Sequence, residues 1–236
     1  MRRIYLSKID STNTWLKEHY FYLQEFTFVR AEEQTAGRGR GQRVWESRKD
    51  NLYFSLLLKE NAYFEKGDAL SVVSALSVLN TLREYNVRNL QIKWPNDVYA
   101  DGKKICGILI ESVYEEKPAC LIVGIGVNVN QNSFTGEYAH TPTSVILETG
   151  ENTDLDALEL RMYEEFQRNM LLLKEGHDFF EEIAQYDYLK GKEVYGVIKG
   201  EKKLVKVEGM RKDYKLRVVS ENETYDLYSD EVTFHL

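Results

Sequence analysis

Two strand-length runs constrain this chain more than anything else in it. Asn51–Lys59 (NLYFSLLLK) and Ala119–Val127 (ACLIVGIGV) are apolar almost throughout, without the alternation of a half-solvated strand. Asn51–Lys59 therefore reads as a strand buried on both faces, and Ala119–Val127 as a second buried strand. The latter is the longest nearly apolar stretch and falls far short of the ~20 residues that span a bilayer. Between the two, Leu70, Val73, Leu76, Leu79 and Leu82 recur at helical spacing, with Asp68 placed to cap that helix. Phe26–Arg30, Leu90–Trp94 and Ile105–Val113 read as strands, and Asp101-Gly102 as a hairpin turn. A helix is expected from Asp10 or Ser11 through Tyr20. Two more are expected over Asp154–Lys174 (Leu155, Leu158, Met162, Phe166) and Gly176–Leu189 (Phe179, Phe180, Ile183, Tyr186).

Past Gly191 the pattern changes. Glu193–Lys199, Lys203–Gly209, Tyr214–Val219 and Glu223–Tyr228 read as short antiparallel strands with tight turns, which suggests a small SH3-like β-barrel. The boundary falls near residue 190, giving a large unit at 1–190 and a small one at 191–236. Charge excludes a broad nucleic-acid footprint. The net charge is −7, and residues 151–190 alone hold eleven acids against four bases, so the remainder is neutral. The basic Met1-Arg2-Arg3 is followed by no secretory apolar region, and the chain reads as cytoplasmic. Cys106 and Cys120 lie in apolar runs and read as buried, inert thiols, while the scattered histidines have no zinc spacing.

Four segments carry candidate chemistry. Gly37-Arg38-Gly39-Arg40-Gly41-Gln42-Arg43 alternates glycine and arginine, and no acid occurs between Gly37 and Trp45. Glycine lets backbone N–H groups turn towards an anion and arginine adds planar donors, so this is either a phosphate cradle or a solvated hinge. It lacks the Lys-Ser/Thr ending of a Walker loop. Lys93-Trp94-Pro95-Asn96-Asp97, shortly ahead of Lys104, sets opposite charges at a strand end. There Lys104 could neutralise a carboxylate or phosphate and Asp97 could hold Mg²⁺, or the segment could be an exposed turn. Gly124-Ile125-Gly126-Val127-Asn128 would let a ligand approach the backbone, with Asn128 free to read a purine edge. Ser11-Thr12-Asn13 either caps a helix or clamps a polar ligand group.

In this order, Asp10-Ser-Thr-Asn13, Gln34-Thr-Ala-Gly-Arg-Gly-Arg40 with Trp45, Lys93-Trp-Pro-Asn-Asp97, Lys104 with Gly107-Ile-Leu-Ile-Glu111, and Gly124-Ile-Gly-Val-Asn128 resemble the biotin–protein ligase family. The resemblance implies an α+β fold in which helices pack on a mixed sheet of the class II aminoacyl-tRNA synthetase and biotin ligase kind, with an SH3-like C-terminal domain. It implies a two-step reaction. Biotin and MgATP give biotinyl-5′-AMP, and the acyl group then passes to one lysine of a biotin carboxyl carrier protein or domain. Lys104, Arg40 and Asp97 would be catalytic, with Asp97 placing Mg²⁺ or the incoming lysine. Ser11, Thr12, Asn13, Gln34, Arg38, Gly39, Arg40, Lys104 and Gly107 would bind biotin. Arg38, Arg40, Arg43, Trp45, Lys93, Asn96 and Asn128 would bind ATP.

One departure stands out: the family's run is typically Gly-Arg-Gly-Arg-x-Gly-Arg, and here Gly41 and Gln42 are exchanged. A motif starting at Ser11 leaves no room ahead of it for the DNA-binding domain of some relatives, so no repressor function and no DNA partner are expected. No membrane partner is expected either, and a homodimer is left open. Two competitors are weaker. Octanoyl transfer would want an activated thiolate, which Cys106 and Cys120 do not suggest, while lipoate ligation is harder to separate. An RNA-binding module would want a basic tail, but residues 191–236 hold nine bases and nine acids.

Overall fold

The computed structural model describes residues 2–198, 200–221, 223–228 and 234–235, without the side chains of Gln42, Phe234 and His235. The elements run β1 (Arg3–Ile9), α1 (Thr12–His19), β2 (Phe28–Gln34), β3 (Leu52–Leu58), α2 (Gly67–Glu84), β4 (Leu90–Lys93), β5 (Asp97–Ala100), β6 (Lys103–Tyr114), β7 (Pro118–Val127), α3 (Val145–Thr149), α4 (Leu155–Lys174) and α5 (Phe180–Ala184). Strands β8 (Glu193–Ile198), β9 (Glu201–Met210), β10 (Leu216–Ser220), β11 (Glu223–Leu227) and β12 (Phe234–His235) follow. Seven strands form one sheet in the order β1-β2-β3-β7-β6-β5-β4. The β1–β2 pair is parallel and the other neighbours are antiparallel, so the sheet is mixed. Sequence pattern does not announce β1, because this edge strand alternates between exposed and half-buried positions.

Strand register sorts the side chains onto two unlike faces. Leu52, Phe54, Leu56 and Leu58 of β3, with Val123, Ile125 and Val127 of β7, join the main core with α2 and α4. On the opposite face Leu57, Cys120 and Ile122 join a smaller core with Leu16 of α1. With only eight residues, α1 reaches about 12 Å along that face. The first turn of α1 sets Asn13 on the cross-strand row Ser55–Gly124–Leu109, and the next row, Tyr53–Gly126–Gly107, lies beyond it. All of Leu52–Leu58 is buried, as the sequence implies, with hydrocarbon along one face and, at Leu57, on part of the other.

Helix α2 is buried nearly all round. It begins at Gly67, so Asp68 lies in its first turn and is not its cap. Phe54 stacks on Phe28 at 4.7 Å and meets the edge of Phe166 at 6.0 Å, joining α4 to the sheet. Asp154 caps α4 through the N–H groups of Asp156 and Ala157. The expected helix over Gly176–Leu189 shrinks to α5, since Tyr186–Tyr188 turns extended and bonds to Ile92 of β4 instead. The Asp101-Gly102 hairpin turn is present, with φ of 48° and 75°.

The C-terminal strands pair in the order β11-β10-β9-β8-β12. Among the described residues this is an open five-stranded sheet, with no ladder joining β11 to β12, and so not the closed barrel expected. Five to ten residues per strand suffice for β8–β11 to pair as a meander, whereas closure would need contacts between the two outer strands. Lys199, the expected end of the first of these strands, lies outside the described residues. The sheet is tied to the first through the Trp94 indole N–H, which donates to the Tyr214 carbonyl at 2.9 Å. Both cysteines are free and buried, and burial pushes the Cys120 thiol up to about 11. Among the described residues no helix is long and apolar enough to cross a membrane.

Phe166→Ala removes the aromatic contact between α4 and the sheet and should cost about 3–5 kcal/mol in urea denaturation. Phe21→Ala, at a side chain 69% exposed, should change stability by less than about 0.5 kcal/mol.

Candidate active site

A cavity of about 850 Å³ lies over the part of the sheet that α1 leaves bare, and every candidate site residue named above lines it. Its floor depends on three missing side chains. A Cβ at Gly124 would overlap the Asn13 carboxamide, one at Gly126 would lie 2.5 Å from Trp45 Cε2, and one at Gly107 2.7 Å from Trp45 Cζ3. Gly124 and Gly126 thus admit the site's own side chains, and both also line the cavity. Trp45 Nε1 is buried there with no hydrogen-bond partner among the described residues.

At one part of the cavity the groups are polar and uncharged. Ser11 precedes α1, but its side chain makes no capping bond, so helix capping does not account for it. Thr12 N donates to Gln34 Oε1 at 2.9 Å, and the Ser55 hydroxyl lies 2.7 Å from Thr12 Oγ1 and 2.6 Å from Asn13 Oδ1. Asn13 Nδ2 donates to Glu111 Oε2 at 2.8 Å and to the Leu109 carbonyl at 3.2 Å.

The glycine–arginine segment folds into a small hairpin. Trp45 N donates to the Gly37 carbonyl at 2.9 Å and Gly39 N to the Arg43 carbonyl at 2.7 Å. At its tip, Gly41 has φ 63°, a left-handed conformation that favours glycine. That places the glycine at 41 and accounts physically for the exchange with Gln42. Arg38 donates to Thr14 Oγ1 at 3.1 Å and lies 3.3 Å from Glu111, and Arg40 reaches Asn96 Oδ1 at 3.4 Å.

Lys93, Trp94 and Asp97 are all buried in the link from β4 to β5, which is therefore no exposed turn. Asp97 pairs with Lys104 at 2.7 Å, and Lys104 Nζ sits 5.4 Å from the centre of the Trp45 ring. Lys93 Nζ lies 3.1 Å from His140 Nε2. Burial, only partly opposed by Asp97, lowers the Lys93 ammonium to about 8. Burial and then Lys93 lower His140 to about 4, so the imidazole is neutral and its Nε2 can accept a hydrogen bond from the lysine ammonium. Asn128 is buried and spends its Nδ2 on the Thr143 carbonyl at 2.9 Å.

The sequence reading missed the wall formed by Gln131, Phe134, Tyr138 and His140, residues of the segment between β7 and α3. Tyr138 donates to Glu46 at 2.5 Å, closing this segment against the stretch after Trp45. The signal was its length: loops of more than about 12–15 residues in compact domains are commonly functional. Among the described residues, no three His, Cys, Asp or Glu side chains gather as a metal site.

The sequence model of the biotin/lipoate A/B protein ligase family matches residues 5–128. The chain belongs to this family. Like the chain, a biotin protein ligase from Aquifex aeolicus, solved in complex with biotin and ATP, carries this fold. It superposes with a TM-score of 0.89 at 32% identity, covering 99% of this chain and 98% of that one. The bifunctional ligase/repressor BirA of Bacillus subtilis (strain 168) is 41% identical over 134 residues, 55% of this chain and 41% of the relative. A biotin--[acetyl-CoA-carboxylase] ligase of Paracoccus denitrificans is 36% identical over 155 residues, 63% of this chain and 65% of the relative. The chain thus matches less than half the length of the BirA relative. In this family member the motifs that suggested the resemblance converge on one cavity.

Gly126→Ala should drive Trp45 off the sheet, seen as a red shift and loss of intensity in tryptophan fluorescence with little change in far-ultraviolet circular dichroism. His140 yields a pH dependence. Unfolded, it takes up a proton near 6.5, and folded only near 4, so the unfolded chain binds more protons between these values. Its contribution to stability should fall as pH drops from 6.5 to 4, and His140→Gln should flatten that part of the denaturation profile.

Proposed function

We propose that this chain is an ATP-dependent biotin–protein ligase, forming biotinyl-5′-AMP from biotin and MgATP and passing the biotinyl group to a lysine of a biotin carboxyl carrier protein or domain. One observation carries the reading: a single cavity holds both an uncharged hydrogen-bonding cluster (Ser11, Thr12, Asn13, Gln34) and a set of cations (Arg40, Arg43, Lys93, Lys104) around the Trp45 indole. That is what a neutral polar head, a carboxylate and a polyphosphate require together.

Adenylation brings an anionic carboxylate against an anionic phosphate, so its barrier is largely electrostatic. Lys104 would bridge the two, held in place by its ion pair with Asp97. Arg38, Gly39 and Gly107 would line the acid's path. Arg40, Arg43, Lys93 and Asn96 would serve the phosphates, and Trp45 and Asn128 the adenine. Asp97 is already paired with Lys104, and among the described residues no three potential metal ligands gather around it, so these residues do not form a resident metal site. Mg²⁺ would arrive with ATP, as part of the substrate. In the second step the carrier's amine attacks the acyl carbonyl and AMP leaves.

We read residues 191–236 as a separate SH3-like unit. Its support is the meander of short antiparallel strands and the Trp94–Tyr214 bond, through which it would steady the Lys93–Asp97 segment. A second copy pairing through a sheet edge would use β1, because Tyr186–Tyr188 occupies the edge at β4.

Pyrophosphate exchange into ATP, with biotin, lipoate and octanoate offered separately, tests this reading. Exchange is expected with biotin alone, and Lys104→Ala should lower its rate by about 10²–10³. Exchange with lipoate alone would reassign the acid.

A further inference from the structure

Glu111 lies beneath the polar cluster and does not line the cavity. Its side chain is 19% exposed and faces three donors: Lys17 Nζ at 2.6 Å, Asn13 Nδ2 at 2.8 Å and Arg38 Nη2 at 3.3 Å. Burial alone would raise its carboxyl group, but bonds from Lys17 and Asn13 outweigh this and hold it below the usual carboxylate value.

The consequence falls on Asn13. A carboxamide offers two N–H donors and two acceptor lone pairs on its oxygen. Both donors are used, on Glu111 and on the Leu109 carbonyl, and neither of those partners can donate in return. The amide therefore cannot turn over without setting its oxygen against two acceptors. One lone pair of Oδ1 takes the Ser55 hydroxyl at 2.6 Å. The remaining lone pair is the only hydrogen-bonding capacity Asn13 has left for the cavity, and it accepts.

Resting on the function proposed above, we propose that Glu111 is a positioning residue that sets the acid selectivity of the site: it locks Asn13 as an acceptor, so that the site favours an acid whose remote end carries an N–H donor. A ureido head has such donors, whereas a dithiolane or plain alkyl end has none. A carboxylate suits this role because it accepts from all three donors, while a glutamine at 111 has one acceptor oxygen and brings an amide that must point at Lys17, Arg38 or Asn13. With the lock gone, Asn13 could present its NH₂, and the advantage of a donor-bearing acid would shrink.

Calorimetric titration of the whole chain with biotin and with lipoate, without ATP, tests the proposal. Wild type should bind biotin more tightly. Glu111→Gln should weaken biotin by about tenfold or more while leaving lipoate unchanged, so that the ratio of the two affinities falls. Ser55→Ala leaves both Asn13 donors on Glu111 and the Leu109 carbonyl, so it should keep the wild-type ratio. For Glu111→Gln, a purely structural role would weaken both acids equally, and that result, or an unchanged ratio, overturns the proposal. Should Glu111→Gln not fold, Glu111→Asp decides: its shorter side chain withdraws the carboxylate from Asn13, and an unchanged ratio counts against the lock. Failure of the wild type to bind biotin would remove the functional reading and this inference with it.

Discussion

The site rests on space that three glycines leave empty. Gly107, Gly124 and Gly126 lie side by side on β6 and β7, on the sheet face where α1 ends and only its first-turn Asn13 reaches Gly124. A methyl group at any of them would collide with Trp45 or Asn13. Because the strands are buried on their other face by α2 and α4, they cannot retreat to make room. The floor is consequently held in place, and Trp45 lies against Gly107 and Gly126 with Lys104 close to its ring.

Around this floor, charge is managed by pairing. Lys104 has Asp97, Arg38 and Lys17 share Glu111, and the buried Lys93 leans on a neutral histidine. Lys93 is the least compensated of these groups, which is why its ammonium is held so weakly. A phosphate in the cavity would supply the missing countercharge. Part of the favourable energy of binding an anion would then be the relief of burying cations together.

Much of this was legible beforehand, for local reasons. Apolar runs such as Asn51–Lys59 fix strand burial, the spacing of Leu70 to Leu82 fixes α2, and the glycine–arginine run and Lys93–Asp97 announced chemistry through residue types rarely placed together. Other parts were illegible for equally physical reasons. β1 is a partly solvated edge whose apolar residues, Ile4 and Leu6, are only half buried, so its signal is weak. Tyr186–Tyr188 has helical neighbours but is captured by β4, an interaction distant in sequence. The wall of Phe134, Tyr138 and His140 comes from a polar loop, where side-chain direction follows no period.

By itself, then, the sequence determined which residues carry charge, which strands must be buried and which motifs belong together, since those follow from composition and periodicity. Tertiary structure decided what the motifs do to one another. The sequence shows Gly124-Ile125-Gly126 as two small residues at a strand end, and only strand register and the length of α1 turn them into the bed for Asn13 and Trp45. The sequence shows Glu111 as an acid in an apolar strand, and only packing sets it under Asn13, Lys17 and Arg38. Hydrogen-bond geometry depends on positions fixed to fractions of an ångström, and in this fold those positions are set by residues as far apart as Asn13, Ser55 and Glu111.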